Sequence, residues 1–251
     1  MKKPYNNISD TNTAFGNKFC VAFDKGVILD YDKLYNQAMN LYDELEELND
    51  DGFSILKDDP LSIVGRKGMV DALADLLVFL YGIPHFLGYN YTEKSSNSIL
   101  KDILIGYKNT SQSTFYSHVI EDIKQLIDDI IKSITDKRNH TLIMINVEEL
   151  DVYLMTLADL YNVNVDLLIQ KVTDSNFSKL CKDKAETDST LEFYRSKGVE
   201  VYSSESPIKQ SNGKPFFVVY SSKEQTVQNK VYRAHKFLKC VNWFEPDLSD
   251  I

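Results

Sequence analysis

The stretch from Gly68 to Leu87 constrains this chain more than any other. It is apolar almost throughout, yet it carries Asp71 and Asp75 four residues apart. The pattern predicts a strongly apolar helix, and residues at that spacing share one helix face. An acidic pair on so apolar a helix needs a partner, because an unpaired buried carboxylate is costly. Gly82 and Pro84 predict a kink or break at the end of this helix.

A second acidic helix precedes it. Between Asp32 and Leu48 the apolar residues Leu34, Ala38, Leu41, Leu45 and Leu48 recur at three- and four-residue spacing. Glu44 and Glu47 share a face of that helix, and Asp50-Asp51-Gly52 supplies its stop, leaving 49–66 as a loop. Two such pairs on facing helices put four carboxylates in a small volume. A divalent cation would relieve their repulsion, and Mg²⁺ prefers such oxygen ligands. Salt bridges from Asp71 and Asp75 to Arg66 or Lys67 are the rival reading, and the glutamates alone also suit a solvated acidic face.

The helical part reads as if written twice. Asn90 follows Asp75 by 15 residues, and Asp166 follows Asp151 by 15. Asp43-Glu44-x-x-Glu47-Leu48 aligns with Glu121-Asp122-x-x-Gln125-Leu126. A duplication predicts tandem helical hairpins packed as a four-helix core. Asp122, Glu148 and Asp151 are then a second acidic set, either a worn copy or the other half of the machinery.

The last 80 or so residues change character. A helix ends at Lys197-Gly198, Val199–Tyr202 and Pro215–Tyr220 read as strands, and Asn212-Gly213 predicts a turn between them. The fold class expected is mainly α with a small β-hairpin in the C-terminal region. The expected divisions are 1–92 for an N-terminal arm and first repeat, 93–114 for a connector with a short helix near Leu100–Ile105, 115–180 for a second, degenerate repeat, and 181–251 for a C-terminal extension.

Charge narrows the partners. Of 251 residues, 28 are Lys or Arg and 37 are Asp or Glu, a formal net charge of -9 that argues against general nucleic-acid binding. The balance is uneven: residues 1–170 carry -11 and residues 171–251 carry +2. An acidic body that gathers cations and a tail that meets phosphate is one reading, and ordinary surface charge is the other. Cys20, Cys181 and Cys240 are too few and too scattered for a disulfide framework or a metal knuckle, which predicts reduced thiols. No apolar stretch follows Lys2 and Lys3, and no membrane span is read, so a cytoplasmic location is expected.

These pieces resemble a known superfamily. Asp43-Glu44-x-x-Glu47-Leu48 is similar to the EExxEL motif of the all-alpha nucleoside triphosphate pyrophosphohydrolases, which include the MazG-like and phosphoribosyl-ATP pyrophosphohydrolase-like proteins. Asp71-Ala-Leu-Ala-Asp75 and the residues to Gly82 resemble the second metal helix of phage-type members. Phe15-Gly16 resembles their N-terminal arm. Ser175-Asn176-Phe177-Ser178-Lys179, Lys236-Phe237-Leu238-Lys239 and Pro246-Asp247-Leu248 look like their C-terminal signature.

The resemblance implies a MazG-like four-helix core as a fused pseudo-dimer, and Mg²⁺-dependent (alternatively Mn²⁺-dependent) cleavage of a nucleoside triphosphate to monophosphate and pyrophosphate. The substrate would be dUTP, dCTP or a modified nucleotide. It implies Glu44, Glu47, Asp71 and Asp75 as metal ligands, with Glu44 and Glu47 catalytic. Asn176, Lys179, Lys236 and Lys239 would contact the nucleotide. The partner would be a small nucleotide, with no nucleic acid and no membrane, and the chain would act as a monomeric pseudo-dimer or a homodimer. A viral source would place it in the host cytoplasm. Three departures stand against the pattern. Ala72 occupies the position where the family has Glu, Gln125 stands where Glu47 does in the first copy, and 183–230 is long for the interval between the two basic elements. Asp71, one residue before Ala72, is a candidate substitute for that Glu; Ala72 and Gln125 favour a catalytically degenerate nucleotide- or partner-binding protein as the alternative.

Overall fold

A computed structural model describes residues 5–6, 8–10, 31–89, 91–136, 140–210, 212–248 and 251. Phe15-Gly16, Cys20 and Asn90 lie outside them. The described elements are mainly helical, with short antiparallel strands near the C-terminus. Among the described residues the chain divides into two compact units, one centred on 31–170 and the other on 171–247.

The first unit begins with α1 (Tyr31–Glu47), whose Leu34, Ala38, Leu41 and Leu45 are buried as their spacing predicts. The helix does not stop at Asp50-Asp51-Gly52. Leu48–Phe53 form a π-helical turn, in which Ser54 N–H donates to the Asn49 carbonyl, and the rod continues as α2 (Ser54–Asp58). Backbone angles remain helical at Glu47, Phe53 and Ser54. Gly52 is used for approach rather than termination: a Cβ there would lie 3.0 Å from Met69 Cα.

The apolar helix α3 (Ile63–Leu87) starts at Ser62, whose hydroxyl caps Gly65 N–H at 3.2 Å, and ends at Gly88 with φ 74°. It runs through Gly82 and Pro84 to Leu87. By length and composition it could cross a membrane, but most of it is buried in the fold, as a core helix would be.

The α1–α3 pair is antiparallel and close because glycines line it. A Cβ at Gly68 would meet the Asp51 carbonyl oxygen at 2.2 Å, and one at Gly82 would meet Gln37 Nε2 at 2.1 Å. Gln37 instead donates that amide to the Phe79 carbonyl at 2.8 Å.

Helix α4 (Ser98–Thr110), longer than the sequence suggests, is capped by Asn97. It packs on α5 (Gln112–Thr135) and α6 (His140–Leu160). Asn146 on α6 reaches the Asp129 carbonyl and Ser133 Oγ on α5, both at 2.9 Å, so this pair is antiparallel too. α1 packs on α3 and α5, and α6 packs on α5 and α3, so each of the four helices has two of the others as neighbours. Helix α7 (Val165–Ser178) follows and runs from one unit into the other.

In the second unit, α8 (Lys184–Ser196) is capped by Asp183. Strands β1 (Val201–Lys209), β2 (Pro215–Ser221) and β5 (Phe237–Leu238) form an antiparallel sheet in the order β1-β2-β5. Tyr202 pairs with Tyr220, and Val219 with Leu238. The Asn212-Gly213 turn joins β1 and β2, with Gly213 at φ 81°. β3 (Gln225–Val227) and β4 (Lys230–Tyr232) form a separate hairpin. Leu191 of α8 packs with Val199, Val201, Val219 and Leu238.

The Gly68 contact is against backbone, which cannot swing aside. Gly68→Ala should therefore lower stability by about 2 kcal/mol, as overpacking does. Urea unfolding measures this, and Gly106→Ala, where a Cβ meets nothing within 4 Å, is the control.

Candidate functional site

The antiparallel register of α1 and α3 decides which acids meet. With Gly82 against Gln37 and Gly68 against Asp51, Glu44 stands level with Asp75, and Glu47 stands level with Asp71. Glu44 and Asp75 are half-buried, while Glu47 and Asp71 are exposed. Asp71 and Asp75 also make polar or electrostatic interactions of their own.

Glu44 is the focus of the cluster. Its Oε2 is buried and has no hydrogen-bond partner. Burial, followed by the negative charges of Asp75, Glu47, Asp43 and Asp71, pushes its carboxyl up to about 8. A cation would stabilise the charged form of such a carboxylate. The donors are all carboxylate oxygens, which suit a hard divalent ion such as Mg²⁺. Among the described residues, no three Asp, Glu, His or Cys side chains converge closely enough to hold an ion as they stand. The orphaned oxygen and the repelling neighbours fit the group, and Glu44, Glu47, Asp71 and Asp75 would be the residues to hold it.

The second acidic set is built differently. Asp151 is fully buried, and its carboxylate accepts from Tyr81 OH at 2.8 Å, Tyr91 OH at 2.7 Å and Lys94 N–H at 2.8 Å. Burial raises its pKa, and those three hydrogen bonds oppose the rise. Glu148 pairs with Lys94 Nζ at 3.0 Å. Asp122 accepts from Tyr153 OH at 3.0 Å. Where Glu44 is faced by an acid, Asp122 is faced by a phenol. These three residues are held by the chain's own donors, so they read as structural anchors. The sequence contained one overlooked signal: Tyr81 sits in a helix too apolar to leave its hydroxyl unpaired.

The four candidates for nucleotide contact all belong to the second unit, and the acidic set belongs to the first. Asn176 and Lys179 are joined through Lys179 Nζ and Asn176 Oδ1. Lys179 carbonyl also accepts from Cys240 N–H at 3.0 Å, which brings the backbone beside Lys239 close to it. Lys239 Nζ lies 3.3 Å from the centre of the Trp243 ring, and burial holds its pKa down. Lys236 is exposed on the turn leading into β5.

No family model matches the sequence, and no solved structure matches it. The chain is similar to the uncharacterized protein L479 of Acanthamoeba polyphaga mimivirus, at 26% identity over 200 residues, which is 73% of this chain and 70% of that protein.

Two measurements test these assignments. Asp151→Ala would strand two phenols and a backbone N–H in the core, and it should cost about 3 kcal/mol in urea unfolding. At Glu44 the raised pKa means that the protonated form favours folding. That contribution is fully present below the ordinary glutamate range near about 4.3 and is lost as pH rises through about 8. With chelator present, wild type should lose thermal stability relative to Glu44→Gln between about pH 5 and about pH 8.5, and added Mg²⁺ should narrow the gap.

Proposed function

We propose that the α1–α3 acidic site makes this chain a Mg²⁺-dependent nucleotide pyrophosphohydrolase, converting a nucleoside triphosphate such as dUTP, dCTP or a modified nucleotide to monophosphate and pyrophosphate. The observation that carries the reading is the desolvated, unpartnered Glu44 oxygen set among four other carboxylates. The motif resemblance around Glu44, Glu47, Asp71 and Asp75 supplies the reaction class.

When bound, Mg²⁺ would neutralise phosphate charge and the charge of the leaving pyrophosphate. The chain's own residues do the rest. The glycine-lined contact of α1 with α3 holds Glu44 and Asp75 level, so the carboxylates are positioned before substrate arrives. The surface position of Glu47 at the end of α1 leaves its carboxylate open to solvent and able to take a proton from water. Burial of Glu44 from one side strengthens its pull on any cation presented from the other. The α5–α6 set, held by Tyr81, Tyr91, Tyr153 and Lys94, has a structural role, so one active site per chain is expected of a fused pseudo-dimer.

A second reading has its own support. Among the described residues the carboxylates are not drawn together into a ligand set, which suits a degenerate protein that binds nucleotide or a partner without turnover. Purified chain incubated with Mg²⁺ and a panel of nucleoside triphosphates separates the two. The hydrolase releases pyrophosphate, and Glu47→Gln, at an exposed position that tolerates the change, loses about 100-fold or more of that rate with its circular dichroism unchanged. Nucleotide binding by calorimetry without pyrophosphate release would leave the binding protein. Absence of both would sink the nucleotide reading altogether.

A further inference from the structure

The second unit contains a pair of cysteines that the acidic site does not use. Cys181 and Cys240 are free and buried. They come from opposite ends of that unit's fold, and the backbone fixes each of them. Cys181 exchanges two hydrogen bonds with Phe217 of β2, both 2.8 Å. Cys240, just past β5, donates its N–H to the Lys179 carbonyl. Their sulfurs converge on one hydroxyl: Thr190 Oγ1 of α8 lies 3.5 Å from Cys181 Sγ and 3.5 Å from Cys240 Sγ. Each thiol is therefore a direct neighbour of the same Thr190 hydroxyl.

We propose that Cys181 and Cys240 are a redox-active dithiol that closes to an intramolecular disulfide on exposure to hydrogen peroxide.

The surroundings assign the two roles. The Cys181 thiol holds the Cys240 thiol below the usual range, helped by Thr190 and the Asn242 N–H, while burial and the nearby Glu186 carboxylate oppose this. Glu186 Oε2 lies 3.9 Å from Cys240 Sγ, but Lys182 and Asn242 bind that carboxylate at 2.8 Å and blunt its charge. Cys181 is pushed up by Cys240 and by burial. Cys240 is therefore the nucleophile and Cys181 the resolving thiol. Cys240 lies just beneath the surface, between exposed Lys239 and Val241, within reach of a small oxidant.

In the first step the Cys240 thiolate attacks one peroxide oxygen, the O–O bond breaks and hydroxide leaves, giving a sulfenic acid. In the second, the Cys181 sulfur attacks Cys240 Sγ, the S–O bond breaks and water departs with the Cys181 proton. The proton first lost from Cys240 neutralises the hydroxide. Two thiols and one peroxide thus become one disulfide and two waters.

The test uses the full chain, native and fully reduced, with one equivalent of hydrogen peroxide, followed by digestion without reductant and mass spectrometry. The expected product links the Cys181 and Cys240 peptides, with two thiols lost and no oxygen gained, in both wild type and Cys20→Ser. The oxidised chain should melt about 5 °C higher. In Cys181→Ser, dimedone should capture Cys240 as the sulfenic acid; should that variant misfold, the wild-type linkage map decides alone. Cross-links through Cys20 or between chains, sulfinic acid at Cys240 in wild type, or thiols that react only after unfolding would each overturn the proposal.

Discussion

The approach of α1 and its π turn to α3 is the contact on which the rest of the first unit depends. Helices normally pack at distances set by the side chains between them. Here Gly52 lies against the Met69 backbone and Gly68 against the Asp51 carbonyl, while Gly82 makes room for the Gln37 side-chain amide. The approach fixes the register, and the register places acid opposite acid. It also explains the π turn. Continuing the rod past Asp50-Asp51-Gly52 keeps Gly52 against Met69 and Asp51 against Gly68, which an early helix stop would have lost. π turns inside helices recur at functional sites, and this one begins directly after Glu47.

The two acidic sets show how identical chemistry can serve opposite ends. Asp151 is more deeply buried than Glu44, yet it is better satisfied, because three donors were built around it. A carboxylate so held is part of the core's hydrogen-bonding network and gains nothing from a cation. Glu44 is left with an unpaired oxygen and negative neighbours, an arrangement that costs stability unless something positive arrives.

Much of this was legible in the sequence. The spacing of Leu34, Ala38, Leu41 and Leu45 gave the buried face of α1, and Asn212-Gly213 gave the hairpin turn. Asp71 and Asp75 were conspicuous because so little else in their helix is polar. Other features were hidden. Gly52 looks like a helix stop in one dimension and acts as a packing surface in three. Pro84 predicts a break, but it lies in the last turn of α3, where the helix ends at Gly88 soon after. The sequence placed Asp122, Glu148 and Asp151 together by alignment, but their donors come from Tyr81, Tyr91, Lys94 and Tyr153, across chain distances that no local pattern encodes.

The sequence by itself determined the helical character of the first unit, the strands of the second, and the presence of acids at one-turn spacing, because these follow from local periodicity and turn chemistry. Only the tertiary structure decided that Glu44 keeps an unpaired oxygen while Asp151 is quenched, and that two cysteines far apart in sequence share one hydroxyl. Desolvation and hydrogen bonding depend on what the neighbouring chain segment presents, and that neighbour is fixed by packing, not by sequence distance.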